Sequence, residues 1–364
     1  MRSSALKCDD WVMVIVLEVP VRRFLGWRTH LKGWILLMKK FMKWLGLAVA
    51  GLALLTAAPH VVRADTWSQP VATIGSSLTA DQKSGTLSTL QNAAGVNNAS
   101  QLTVNGATLV KYLNPSGSTF TESSGVWSSA LVQKTDNGGI NVKIVPYNGT
   151  NNITTITADQ YRNAALTAGV SNANLYITSA VRIDGSGALA GVYAAFAQNG
   201  ENLNNQQINA AQQEVNTLSS ITQANKDKDG YSDKQLNNAV AGAKQQMASQ
   251  SNNGQQTLSQ NQIGNIVDSQ LKQNNLTTII NNNQRQLIIN LLVNVQKAGS
   301  LKNNDFKAQA GKLADSIQNS AKGLFDKLNK SLNTEENRNF LQKIWDGIVS
   351  FFNGIAQWIQ SLIK

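Results

Sequence analysis

Thr-Ala-Asp-Gln occurs twice in this chain, at positions 79–82 and 157–160, and each copy opens a segment with the same order of features. In both, the threonine hydroxyl can cap a helix, and the glutamine three residues on can reach back to the cap's own N–H. Each predicted helix runs to Ala-Gly-Val, where Gly95 and Gly169 suit the left-handed conformation that ends helices. A short alternating strand follows, with Leu102 and Val104 in the first copy and Leu175 and Ile177 in the second. A helix rich in small residues comes next. The second copy is four residues shorter between Gln and Gly, which is about one helical turn. The pattern is an internal α-β-α duplication, so the chain must place its strands in a shared sheet with helices packed on it.

Between the copies, Val132 precedes Asp136-Asn137-Gly138-Gly139, and Ile140, Val142 and Ile144 alternate after it. Alternation around Asn-Gly predicts a β-hairpin. From Glu201 the period becomes helical. Ile208, Ala211, Val215 and Leu218 recur at helical spacing, as do Ile263, Ile266, Val267 and Leu271, and then Leu287, Leu291 and Val295. Phe306, Leu313, Ile317, Leu324 and Leu328 form a near-heptad stripe, and a final helix is predicted from Glu335 to Ile363. The expected fold class is α+β: a small sheet with packed helices over residues 65–200, a helical region over 201–300, and C-terminal helices over 301–364.

The N-terminal residues follow a different logic. "MKKFMKW" (Met38–Trp44) is basic, "LGLAVAGLALLTAA" (Leu45–Ala58) is apolar, and "VRAD" (Val62–Asp65) follows. That is the order of a secretory signal peptide. We expect residues 38–64 to direct export and cleavage to follow Ala64, giving a secreted, extracellular chain. An uncleaved membrane anchor is the alternative. Residues 1–37 precede the basic end where such signals begin, and Met38 is the expected start. The full chain carries 32 Lys and Arg against 21 Asp and Glu, but ten of the basic and three of the acidic residues lie in the first 64. From Asp65 onward the balance is 22 against 18, a net charge of +4. The basic excess therefore belongs to the export signal, and nucleic acid is not an expected partner.

Cys8, His30 and His60 also precede Asp65. The expected mature chain has no thiol or imidazole, which excludes disulfides, cysteine nucleophiles, Ser-His-Asp triads and ordinary zinc sites. Export without disulfides fits a Gram-positive bacterium.

"SSLTADQKSGTL", "VNGATLVKYLN", "SGVWSSALV", "GGINVKIV", "ITADQYRNAALTAGV" and "SGALAGVYAAF" resemble, in that order, the YpuA-like secreted proteins of Gram-positive bacteria. The resemblance is firm from about Ile74 to Asn199 and looser to about Gly299. It implies an exported protein with an uncharacterised role, and it carries over no catalytic residue.

"NKDKDGYSDKQL" (Asn225–Leu236) has the offsets of a calcium loop. Asn225, Asp227 and Asp229 stand at the first, third and fifth positions, Gly230 at the sixth, the Tyr231 carbonyl at the seventh and Asp233 at the ninth. Leu236 stands where a bidentate glutamate belongs, and Lys226 and Lys228 add positive charge. The same residues also read as a polar turn, with Ser232 and Gln235 forming a capping box for the next helix. Weak calcium binding at this loop is the one cofactor the sequence admits.

At the C-terminus, Leu341, Ile344, Trp345, Ile348, Phe352, Ile355, Ile359 and Leu362 share one helical face, and Trp358 widens it. Trp345, Phe352 and Trp358 are the candidate contacts with a membrane surface or a partner. Docking on the chain's own helices is the alternative. For catalysis, Glu122, Asp159, Asp184, Glu201 and Glu214 are candidate acids for a carboxylate-based glycan hydrolase. No motif unites them, and Glu214 reads as a helix-surface residue. Ser-x-x-Lys occurs at Ser269–Lys272 and Ser361–Lys364 without companion motifs. The expectation is a non-enzymatic extracellular or envelope-associated protein whose ligand the residues do not name.

Overall fold

Val71–Gly75 (β1) is buried on both faces, so it lacks the alternation that marks a half-buried strand. It joins Ser100–Val104 (β2), Ser128–Lys134 (β3), Ile140–Ile144 (β4) and Ala173–Ser179 (β5) in one sheet of order β2-β1-β3-β5-β4. The structure is a computed structural model describing residue 67 and residues 69–324 apart from 202. β1 pairs in parallel with β2, and β4 with β5; β3 is antiparallel to both β1 and β5. The mixed α+β architecture is as expected. The duplicated unit is larger than its sequence signature, because each copy has a strand before its first helix. β1 leads through Ala80–Ala94 (α1) to β2 and then Gly106–Leu113 (α2). β4 leads through Ala158–Thr167 (α3) to β5 and then Ser186–Gln198 (α4).

The predicted hairpin does not form. β3 and β4 both exist, but β5 lies between them and pairs with each. The Asn-Gly turn is spread open to make room, and Asn172 holds it. Thr135 N–H donates to the Asn172 carbonyl at 2.8 Å, and Gly139 N–H donates to its side-chain oxygen at 2.9 Å. Gly138 and Gly139 have φ of 98° and 81°, which glycine adopts without a steric penalty.

One face of the sheet presents Ala72, Ile74 and Leu131 to Leu90 of α1. The other presents Val71, Ala130, Val132, Val142, Leu175 and Ile177 to a much larger core. Each fully buried Leu or Ile contributes roughly 1.5–3 kcal/mol, so the second face dominates. α4 lies on it closely. A Cβ on Gly187 would sit 2.6 Å from Val126 Cγ1, so only glycine allows that approach.

The same core continues into Asn205–Asn225 (α5), Asp233–Gln250 (α6), Gln260–Gln273 (α7), Asn282–Lys297 (α8) and Phe306–Ser320 (α9). The expected stripes are buried as far as Ile317, Leu324 is half-buried, Leu328 lies outside the described residues, and α8 needs one correction. Leu287 is 45% exposed, and Ile288, Ile289, Leu291, Leu292 and Val295 form the inner face of α8. Sheet and helices thus share apolar contacts, and the described residues belong to one compact unit. None of the helices among them is long and apolar enough to cross a membrane. The predicted export signal and the terminal amphipathic helix, with Trp345, Phe352 and Trp358, lie outside the described residues.

Candidate functional site

Helix α3 carries Asp159, Asn163 and Thr167 at intervals of four residues, which puts them on one face. That face is buried against α5 and α6, with Asp159 4% exposed and Asn163 and Thr167 fully buried. α5 brings Glu214, Ser219 and Thr222 to the seam, and α6 brings Asp233, Asn237 and Lys244. Thr157 and Gln160 close the capping box of α3, which fixes the N-terminus of this helix locally.

At one end of the seam, Lys244 and Glu214 form an ion pair of 2.6 Å with both side chains at 0% exposure. Lys244 Nζ also donates to the Asn163 carbonyl at 2.9 Å and to Asn163 Oδ1 at 3.2 Å. All three ammonium donors are thereby satisfied. Glu214 Oε2 accepts from the Thr167 hydroxyl at 2.6 Å. Asn163 Nδ2 in turn donates to the Asp159 carbonyl and to both oxygens of Asn237. Burial pushes the Lys244 pKa down, against the opposing pull of Glu214. Burial and then the Glu214 charge hold the neighbouring Tyr193 phenol far above its ordinary range. Glu214 is therefore a core residue and not the surface residue expected. It lies on the apolar stripe of Ala211, Val215 and Leu218, and Lys244 arrives from α6 to neutralise it.

At the other end, Asp233 accepts from the hydroxyls of Thr157 at 2.6 Å and Thr222 at 2.8 Å, and from Gln160 Nε2 at 3.0 Å. Burial raises its pKa, the three hydrogen bonds oppose the rise, and nearby Asp159 adds to it. Asp159 is paired with Arg162 at 3.2 Å and Lys234 at 3.3 Å.

Of the calcium-loop residues, Asn225 is buried at the end of α5, and its Nδ2 donates to the Ile221 carbonyl. Tyr231 shares a 2.8 Å hydrogen bond with Thr222. Asp233 faces the seam, while Asp227 and Asp229 are exposed. Among the described residues, no group of three or more His, Cys, Asp or Glu side chains is gathered for a metal. Ser232 caps α6, but the predicted box is incomplete. Gln235 turns inward and donates to the Asn274 carbonyl at 2.8 Å.

The remaining acids are dispersed. Glu201 pairs with Lys134 at 2.9 Å and accepts from the Trp67 indole at 2.7 Å. Asp184 holds the start of α4 through the Ser186 N–H and hydroxyl. Glu122 is exposed. Ser269 is buried and accepts from Gln273. Sequence reasoning missed Lys244, Asp233 in its structural role, and Asn163. The signal for Lys244 was a lone cation on the apolar stripe of Val240, Met247 and Ala248.

A family model described as "Protein of unknown function (DUF1002)" matches residues 74–313, from β1 into α9. The uncharacterized protein YpuA of Bacillus subtilis (strain 168) is 27% identical over 322 residues, covering 88% of this chain and 99% of the relative. No solved structure matches.

Proposed function

This chain belongs to the DUF1002 family of proteins of unknown function, and on that premise we propose that it is an exported, non-enzymatic protein that binds at the cell envelope of a Gram-positive bacterium. The order of basic, apolar and small residues over Met38–Asp65 supports export. The observation that carries the non-enzymatic reading is the use made of the acids. Asp159, Glu201 and Glu214 are engaged in ion pairs that tie helices and strands together, and Asp184 serves the start of α4. Groups so held are committed to pairing and capping, which leaves them poorly suited to the paired acid–base roles that hydrolysis of a glycan needs.

The test is fractionation of a culture producing the tagged chain, with N-terminal sequencing of the product. A species beginning at Asp65 in the medium or wall fraction is expected; a cytoplasmic species retaining Met38 would overturn the export reading. Zymography on purified cell walls tests the other half, since a cleared band would make the carboxylate hydrolase the better account. A second reading, contact with a membrane surface, rests on the amphipathic spacing of Trp345, Phe352 and Trp358. Liposome co-sedimentation of the chain with and without residues from Glu335 separates it from helix docking.

A further inference from the structure

We propose that Lys244 and Asn163 are the two ends of an intramolecular isopeptide cross-link that the folded chain forms by itself, with Glu214 moving the protons. Three helices bring these side chains together: α6, α3 and α5. All three residues are fully buried, and each supplies one part of the chemistry.

The nucleophile must be a neutral amine. Burial disfavours the ammonium form of Lys244, and Glu214 Oε1, 2.6 Å from Nζ, is placed to take the proton. The Thr167 hydroxyl on Oε2 fixes the orientation of that carboxyl group. The electrophile must be a carboxamide held beside the amine. Asn163 Oδ1 accepts a hydrogen bond from Lys244 Nζ at 3.2 Å, which holds the carboxamide beside the amine that would attack its Cγ. Hydrogen bonds of 3.2 Å from Nδ2 to the Asp159 carbonyl and to both Asn237 oxygens keep the amide from turning away. Finally, water must be excluded so that the amide reacts with the amine and not by hydrolysis. The complete burial of the three side chains provides this.

The step balances without any co-reactant. Nζ of the neutral lysine attacks Cγ of Asn163, and the Nζ–Cγ bond forms. Protonated Glu214 gives its proton to the developing oxyanion, and its carboxylate then receives the surplus proton from Nζ. Glu214 delivers that proton to Nδ2, the Cγ–Nδ2 bond breaks, and the carbonyl re-forms by returning its proton to the carboxylate side chain. A primary amine and a primary amide become a secondary amide and ammonia, with no change of oxidation state. The product would join residues 81 positions apart and tie the sheet-side helix α3 to α6 in a chain that has no cysteine from Asp65 onward.

The experiment is mass spectrometry of the intact full chain, purified folded and then denatured. The expected mass is lower by one ammonia than the sequence of that species requires. Protease digestion should release a branched peptide joining the segment of Asn163 to that of Lys244. Full mass with two linear peptides overturns the proposal, leaving a buried ion pair only. Lys244→Met is expected to restore the full mass. A deficit that persists in that variant also overturns the proposal, because it would mark ammonia lost elsewhere, for example by cyclisation at Asn137-Gly138. Glu214→Gln should give a linear chain with its helical circular dichroism retained, and a cross-linked Glu214→Gln chain would remove Glu214 from the mechanism.

Discussion

The two Thr-Ala-Asp-Gln motifs carry the same local instruction and end in opposite environments. At Thr79–Gln82 the box caps α1 and does nothing more: Asp81 is exposed, and the bonds between Thr79 and Gln82 lie at the surface. At Thr157–Gln160 the same box caps α3, yet Asp159 is 4% exposed and Gln160 fully buried. There the threonine hydroxyl and glutamine amide serve twice, once for the helix end and once for Asp233 of α6. The serine of α5 at position 219 adds a third bond, to Gln160 Oε1 at 2.9 Å. Capping is a local property, so the two copies of the motif share it. What surrounds the cap is set by the helices after Glu201, which cover the second copy and leave the first to solvent.

The largest effect should come from the end of the seam that the first copy lacks entirely. Lys244→Met leaves Glu214 buried without its partner, whether that partner is the lysine ammonium or the N–H of the linked amide, and removing one partner of a buried pair costs about 3–5 kcal/mol. The urea midpoint should fall accordingly. Pairing Lys244→Met with Glu214→Leu should recover much of the loss, since two apolar groups need no compensation. If the single variant unfolds at the wild-type midpoint, the seam does not distinguish the two copies energetically.

Much of this architecture was legible in advance. Both capping boxes and the strands at Leu102 and Leu175 follow from side-chain chemistry within a few residues. The hairpin misled because Asn-Gly reports a turn but not what pairs with the strands it connects; β5, from more than thirty residues later, won that pairing. Glu214 misled for a related reason. Its position among Ala211, Val215 and Leu218 already placed it on the buried face, but an acid there is tolerable only with a partner, and Lys244 is 30 residues away. Leu287 shows the smaller error of a stripe rotated by one residue, where neighbouring Ile288 competes for the core.

An intermediate effect is expected at Asp233, whose removal leaves Thr157, Thr222 and Gln160 without their acceptor. Asp233→Ala should cost about 2–3 kcal/mol, as buried Gln160 and half-buried Thr157 and Thr222 lose their acceptor. The same residue gives the second copy a pH signature. Folding raises the Asp233 pKa above its ordinary value of 3.8, so the folded state holds that proton to higher pH than the unfolded chain. Its contribution is full below the ordinary value and is lost as pH rises through the folded-state value. Asp233→Asn removes this titration. The stability of wild type minus variant should therefore decrease as pH rises across that window, measured by urea midpoints at successive pH values. A difference that does not change with pH would show that Asp233 titrates alike in both states.

The smallest effect tests the comparison most directly, because it makes the same change in both copies. Gln82→Ala deletes the reciprocal half of an exposed box, and water can replace it at the Thr79 N–H; a loss of a few tenths up to about 1 kcal/mol is expected. Gln160→Ala deletes an equal group and also strips partners from Asp233 and from Ser219, which is 9% exposed. Ser219 has little access to water and half-buried Asp233 only limited access, so the expected loss is about 1–3 kcal/mol. Equal losses at the two positions would mean that the cap alone matters and that the buried bonds of the second copy contribute nothing net. A larger loss at Gln160 would assign the difference to the helices that cover it, since the local sequence of the two boxes is the same.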